Sequence, residues 1–170
     1  ATLQTHVPAL LRRFYANRQS ALAADGPYAT RTFAVMPTAN RSRLQSFTEL
    51  LRLQGFEIFE ATNEFRAVLC IDQLGREAKD RLLPKGTLLI PNRQPLGHLV
   101  AAMLEFDPRF SGKILEEERR ELLGKGKSRI YDTTAWNLTM LYGLEAFSLH
   151  TDLPEAARLY QTPPSPEAGR

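Results

Sequence analysis

One cysteine in 170 residues, Cys70, leaves no room for an internal disulfide framework or a multi-cysteine zinc site. Histidine is almost as scarce. His6, His98 and His150 each lack a Glu or His three or four residues away, so the paired ligands of a zinc peptidase are missing. No apolar run approaches the roughly 18 residues that cross a bilayer, and no signal-peptide core opens the chain, so no membrane span is expected. Charge of one sign is also lacking. Lys and Arg number 22 against 19 acids, a net +3, with acids mixed into most of the chain. A basic stripe interleaved with stacking aromatics is absent, which argues against a nucleic-acid partner. There is no internal repeat. The phosphate-loop patterns G-x-x-x-x-G-K-[ST] and G-x-G-x-x-G do not occur.

What remains is an ordinary globular composition, 43% hydrophobic and 24% charged, of a length that suits one domain with a proper core. The chain begins at Ala, as expected of a piece processed or excised from something longer. Leu3, Val7, Leu10, Leu11 and Phe14 recur at helical spacing, predicting a helix whose firmest part runs from Pro8 to Leu22. Phe33-Ala34-Val35-Met36 reads as a buried strand. Ser42-x-x-Gln45 has the capping-box form, Leu44, Phe47, Leu50 and Leu51 follow on one face, and Gly55 supplies a left-handed stop. Phe56 to Phe59 then reads as a second strand, and the expected geometry of this strand–helix–strand unit is a right-handed parallel crossover.

Further on, Ala67 to Ile71 and Thr87 to Ile90 read as strands, with a polar stretch from Asp72 to Arg81 between them. Pro95 opens a helix carrying Leu96, Leu99, Val100, Met103 and Leu104. Leu115 to Leu123 forms a charged helix closed by Gly124 and Gly126. The last ordered element is expected from Asp132 to Tyr142, with Asp132, Thr133 or Thr134 capping its first turn. Residues 1–26 form a leading helix or interdomain connection, 27–150 the domain proper and 151–170 an extension. The Pro-rich end, 161–170, is expected to be mobile. Together the elements predict an α/β layer arrangement.

No residue set announces a catalyst. Cys70 has Val68 and Asp72 where a nucleophile elbow needs small residues, so it reads as a buried hydrophobe. Gly124-Lys125-Gly126-Lys127-Ser128 follows a helix and not a strand, which makes it a loop and not a phosphate cradle. The stretch Thr38, Asn40, Arg41 lies at the carboxyl end of the first strand, where open α/β sheets place ligands.

Two stretches carry a resemblance. Lys85-Gly86-Thr87-Leu88-Leu89-Ile90-Pro91-Asn92-Arg93-Gln94-Pro95 resembles a "pGtyvvp-x-x-QP" segment. Tyr131-Asp132-Thr133-Thr134-Ala135-Trp136-Asn137-Leu138 resembles a "YD-x-TAW-x-L" segment. Both are similar to the region after the catalytic domain in a bacterial branch of the zinc metallocarboxypeptidases, the carboxypeptidase-A-like family, and the resemblance spans about residues 1–150. It implies a flavodoxin-like, class I amidotransferase-like three-layer fold with a mainly parallel sheet, stripped of the amidotransferase chemistry. It also implies a parent chain that is an exported zinc hydrolase, periplasmic or extracellular. That parent's zinc ligands and catalytic Glu lie before Ala1, leaving no catalytic residue, metal ligand or cofactor in the present chain.

The leading expectation is therefore a non-catalytic accessory domain. It would dock on the upstream peptidase domain, shape substrate access, or bind a peptide or small-molecule ligand. Thr38, Asn40, Arg41, Gln94 and Asp132 are its candidate ligand-binding residues. The alternatives are a freestanding small-molecule sensor, or a hydrolase on a flavodoxin-like fold using the Thr38–Arg41 loop and Cys70. An apolar patch on the first helix favours docking, a concave polar pocket favours ligand binding, and a fully buried Cys70 counts against the hydrolase.

Overall fold

Strand direction decides the architecture. In the computed structural model, which describes residues 2–106, 110–128 and 137–161, every paired strand is antiparallel to its neighbour. The elements in chain order are α1 (Thr2–Leu22), β1 (Thr32–Val35), α2 (Arg41–Leu53), β2 (Phe59–Ala61), β3 (Phe65–Asp72) and β4 (Glu77–Leu83). They continue with β5 (Leu88–Pro91), α3 (Gly97–Leu104), α4 (Gly112–Lys125), α5 (Leu138–Leu141), β6 (Ala146–Leu149) and β7 (Ala157–Leu159). The seven strands form one curled half-barrel sheet in the order β4-β3-β6-β1-β5-β2-β7.

This overturns the expected parallel, flavodoxin-like three-layer fold. The strand–helix–strand unit is real, and β1 and β2 do run the same way. They are not neighbours, because β5 is inserted between them antiparallel to both. The apolar runs misled for a physical reason. Residues 32–35, 88–91 and 146–149 are buried throughout, the pattern of a parallel strand covered on both faces. Here the curl supplies the second cover.

On one face, Phe33, Val35, Leu88 and Ile90 pack with Phe47 and Leu51 of α2, Val100 and Leu104 of α3, and Phe106. On the other, Ala34, Leu89, Phe147 and Leu149 pack with Ala61, Ala67, Cys70 and Leu83, so the sheet fills its own concave side as small barrels do.

Local chemistry sets several boundaries away from their expected places. The cap of α2 is Asn40, whose Oδ1 accepts the Arg43 amide at 3.2 Å; the Ser42–Gln45 box is not formed. Gly55 does adopt the left-handed conformation expected of a helix stop, with φ +84°. Phe56 and Ile58 are buried, yet the second strand starts only at Phe59. The polar stretch after Asp72 hides a hairpin. Asp72 Oδ1 accepts the amides of Leu74 and Arg76, both at 2.8 Å, and the chain returns as the edge strand β4.

Two further strands were not foreseen: β6, which pairs with β1 and β3, and β7, which pairs with β2. Thus residues of the stretch set apart as an extension add a strand to the sheet. Residues 162–170 lie outside the described residues. The expected Asp132–Tyr142 helix is described only over Leu138–Leu141, where Asn137 accepts the Met140 amide at 2.9 Å.

Candidate functional site

The antiparallel pairing separates the expected ligand-binding residues. Thr32 lies opposite Pro91 and Val35 opposite Leu88, so the carboxyl ends of β1 and β5 fall at opposite ends of the sheet. Thr38, Asn40 and Arg41 follow β1 at one end, and Gln94 follows β5 at the other. A parallel sheet would have gathered all four. Thr38 Oγ1 accepts the Asn40 amide at 3.1 Å, and Asn40 caps α2. Both are thereby engaged in holding the loop, and Arg41 is exposed as the first residue of α2. Asp132, with Tyr131 to Trp136, lies outside the described residues.

At the Pro91 end, two buried amides build the turn from β5 to α3. Asn92, wholly buried, donates from Nδ2 to the Gly97 carbonyl at 2.6 Å and accepts Arg31 Nε at 2.8 Å. Arg31 also pairs with Glu105 at the C-terminus of α3, at 2.5 Å. Gln94, 1% exposed, accepts the Glu57 amide on Oε1 at 2.8 Å and donates from Nε2 to the Pro91 carbonyl at 2.7 Å. It clamps the approach to β2 onto the end of β5. Its amide is therefore consumed by the backbone and is not offered to a ligand.

Between them, Arg93 is left outward and exposed. It lines a cleft of about 250 Å³ together with Glu57, Phe59, Pro91, Asp152 and Leu153. Arg93, Glu57 and Asp152 form no ion pair among the described residues. Sequence reasoning missed this group. Only β2–β5 pairing and the return of the chain after β6 bring positions 57, 93 and 152 together, and Arg93 alone sits inside a stretch that the sequence had singled out.

The second surface is α1. Ala21, near its C-terminus, is buried, and Arg18 reaches the Pro95 carbonyl at 3.3 Å. Ahead of that seat the apolar stripe is bare: Val7, Leu10, Leu11 and Phe14 are 39%, 59%, 52% and 49% exposed. The helix carries Arg12, Arg13 and Arg18 and no acid, with the Arg18 guanidinium 4.2 Å from the Phe14 ring centroid.

The remaining chemistry-bearing groups have structural partners. Cys70 is fully buried in β3, donates to the Ala78 carbonyl at 3.3 Å, and has its pKa raised by burial, with Arg81 lowering it and Asp72 raising it to lesser degrees. Because the fold favours the neutral thiol, Cys70 contributes stability that is present below the ordinary value of 9.0 and lost as pH rises beyond it. An aromatic disulfide reagent at pH 8 should label Cys70 only as fast as the protein opens; rapid labelling of the native chain would contradict its burial.

His98 sits on α3 within 3.0 Å of the Tyr28 hydroxyl. Gly126, with φ +65°, caps the C-terminus of α4, so the Gly124–Ser128 loop meets the negative end of that helix, the wrong end for a phosphate. Among the described residues no three His, Cys, Asp or Glu side chains are grouped to hold a metal, and no helix is long and apolar enough to cross a membrane. Comparisons with protein-family models, curated proteins and solved structures give no match.

Proposed function

We propose that this chain is a non-catalytic docking domain that seats the bare face of α1 on a neighbouring protein surface. The observation that carries the reading is the exposed stripe Val7, Leu10, Leu11 and Phe14, at the one-face spacing that usually buries a helix in its own core. Arginines on an acid-free helix call for an apolar partner surface with an acidic rim. The two motif stretches resemble the region that follows the peptidase domain in exported zinc carboxypeptidases, so the partner proposed is such a peptidase domain, which would supply the zinc and the proteolysis. Docking there would steady the peptidase or shape substrate access. The hydrolase alternative loses its nucleophile to the burial of Cys70 in β3. A ligand-binding role is favoured separately by the cleft at Arg93.

The test compares the 170-residue chain with the same chain extended upstream through its own coding sequence. Zinc and carboxypeptidase activity are expected in the long form alone, with the amides of residues 7–14 exchanging more slowly there. Leu10→Ser with Phe14→Ser should erase that slowing. Both side chains are exposed, so the pair should change the unfolding free energy of the short form by no more than about 0.5 kcal/mol each. Stoichiometric zinc with peptide cleavage in the short form overturns the reading, as does an upstream coding sequence without a peptidase. Vesicle binding that depends on Leu10 and Phe14 would assign the helix to an anionic lipid surface instead.

A further inference from the structure

We infer that the cleft at the Pro91 end of the sheet is a binding site for a small zwitterion, a free α-amino acid with an apolar side chain. The inference is independent of the docking surface on α1. Its first support is the chemistry of the lining: one guanidinium, two carboxylates and three apolar residues, from three separate stretches of chain.

Each group answers one part of an amino acid. Arg93 offers the planar fork that grips a carboxylate through two parallel hydrogen bonds. Glu57 and Asp152 are acceptors for an ammonium group. Phe59, Pro91 and Leu153 supply an apolar wall for a side chain. The charged groups are also uncommitted, since none of the three is in an ion pair among the described residues. A structural role for such residues would normally show as mutual pairing across the cleft. Left unpaired, they are hydrated, and a ligand carrying both charges can engage both signs at once.

Size narrows the class. Sites for drug-sized ligands enclose roughly 300–1,000 Å³. A cleft of about 250 Å³ falls below that range and suits a single amino acid better than a nucleotide or an oligosaccharide.

The frame is held rigidly. Gln94, buried beside Arg93, binds the Glu57 amide at 2.8 Å and the Pro91 carbonyl at 2.7 Å, so one side chain fixes the backbone of two lining positions. Gln94 is thus a positioning residue, and its place in the resembling stretch follows from what it holds. The lining charges are exposed, so binding should be weak and salt-sensitive, in the millimolar range.

The test is a titration of the 170-residue chain with L-leucine, followed by backbone amide NMR at low salt. Saturable shifts are expected at residues 57–59, 91–94 and 152–153. Leucinamide, without the carboxylate, and N-acetyl-leucine, without the ammonium, should each bind at least about tenfold more weakly, as should wild-type ligand to Arg93→Ala. Arg93 is exposed and unpaired, so Arg93→Ala should unfold at the same temperature as the parent. Absence of shifts up to saturating leucine overturns the inference. So does equal binding of all three compounds, which would reduce the cleft to an apolar dent, or shifts that survive Arg93→Ala.

Discussion

Gln94→Leu is expected to lower the unfolding free energy by about 2–4 kcal/mol, a large share of the ~5–15 kcal/mol that holds a domain together. Leucine fills nearly the same volume, so a cavity contributes little. The loss comes from stranding the Glu57 amide, which donates to Gln94 Oε1, and the Pro91 carbonyl, which accepts from Gln94 Nε2. A buried group left without its partner costs about 1–3 kcal/mol. Urea unfolding should show a lower midpoint with an unchanged slope.

Gln94→Glu sharpens the diagnosis. The carboxylate keeps the acceptor for Glu57 but loses the donor to Pro91, and it places a charge at a site 1% exposed. Burial must raise its folded pKa above the unfolded value, so this variant's stability is fullest at low pH and lost as pH rises through the folded pKa. The protonated acid regains a donor, so its deficit against the parent should shrink on acidification, whereas that of Gln94→Leu should not. Equal stability of Gln94→Leu and the parent would mean that the β5–α3 turn does not depend on this side chain.

The same residue marks how far the sequence was legible. Gln94 stood out because of the stretch around it, and the structure puts it at a point where chemistry matters, but as a clamp. The side chain that remains available is its neighbour Arg93. Local signals were sound where they depended on local physics: the stripe of α1, the glycine stop at Gly55, and the strand cores at 33–35 and 88–90. Strand direction is not a local property. Residues 32–35 are equally apolar whether their neighbours run with or against them, and the insertion of β5 between β1 and β2 depends on contacts across more than fifty residues of chain.

Polar edge strands fail for a different reason. Glu77 to Leu83 faces solvent with most of its side chains, so hydrophobic periodicity has nothing to report. The cue for that hairpin was the Asp72 side chain, which folds the turn by accepting two backbone amides. The acidic partners of Arg93 carried no cue at all. Glu57 precedes a short strand, Asp152 follows another, and only the sheet order brings them to one cleft.

The exposed helix raises a separate question, namely what keeps α1 on the body while its apolar face is bare. The seat is Gly97, at the start of α3. A Cβ built there would lie 2.6 Å from the Asn92 carbonyl oxygen, 3.1 Å from the Ala21 Cβ and 3.2 Å from the Tyr28 ring. Gly97→Ala therefore sets two effects against each other. Alanine favours helix by up to about 1 kcal/mol over glycine, and less at a helix start. Against this stands a clash with backbone oxygen that no rotamer change can relieve, where over-packing typically costs about 1–3 kcal/mol.

The clash should win, because the Asn92 backbone is fixed from both sides by its own side-chain bonds to Gly97 and Arg31. The expected result is a net loss of about 1–3 kcal/mol, accompanied by faster amide exchange around residues 18–22 as Ala21 is lifted from its seat. A destabilised protein whose α1 exchange is unchanged would show that the strain is absorbed within the β5–α3 turn. A variant as stable as the parent would show that α1 is not seated through Gly97. Since the stripe at Val7 to Phe14 is presented from this one anchored end, loosening the seat should weaken docking without altering a single residue of the docking face.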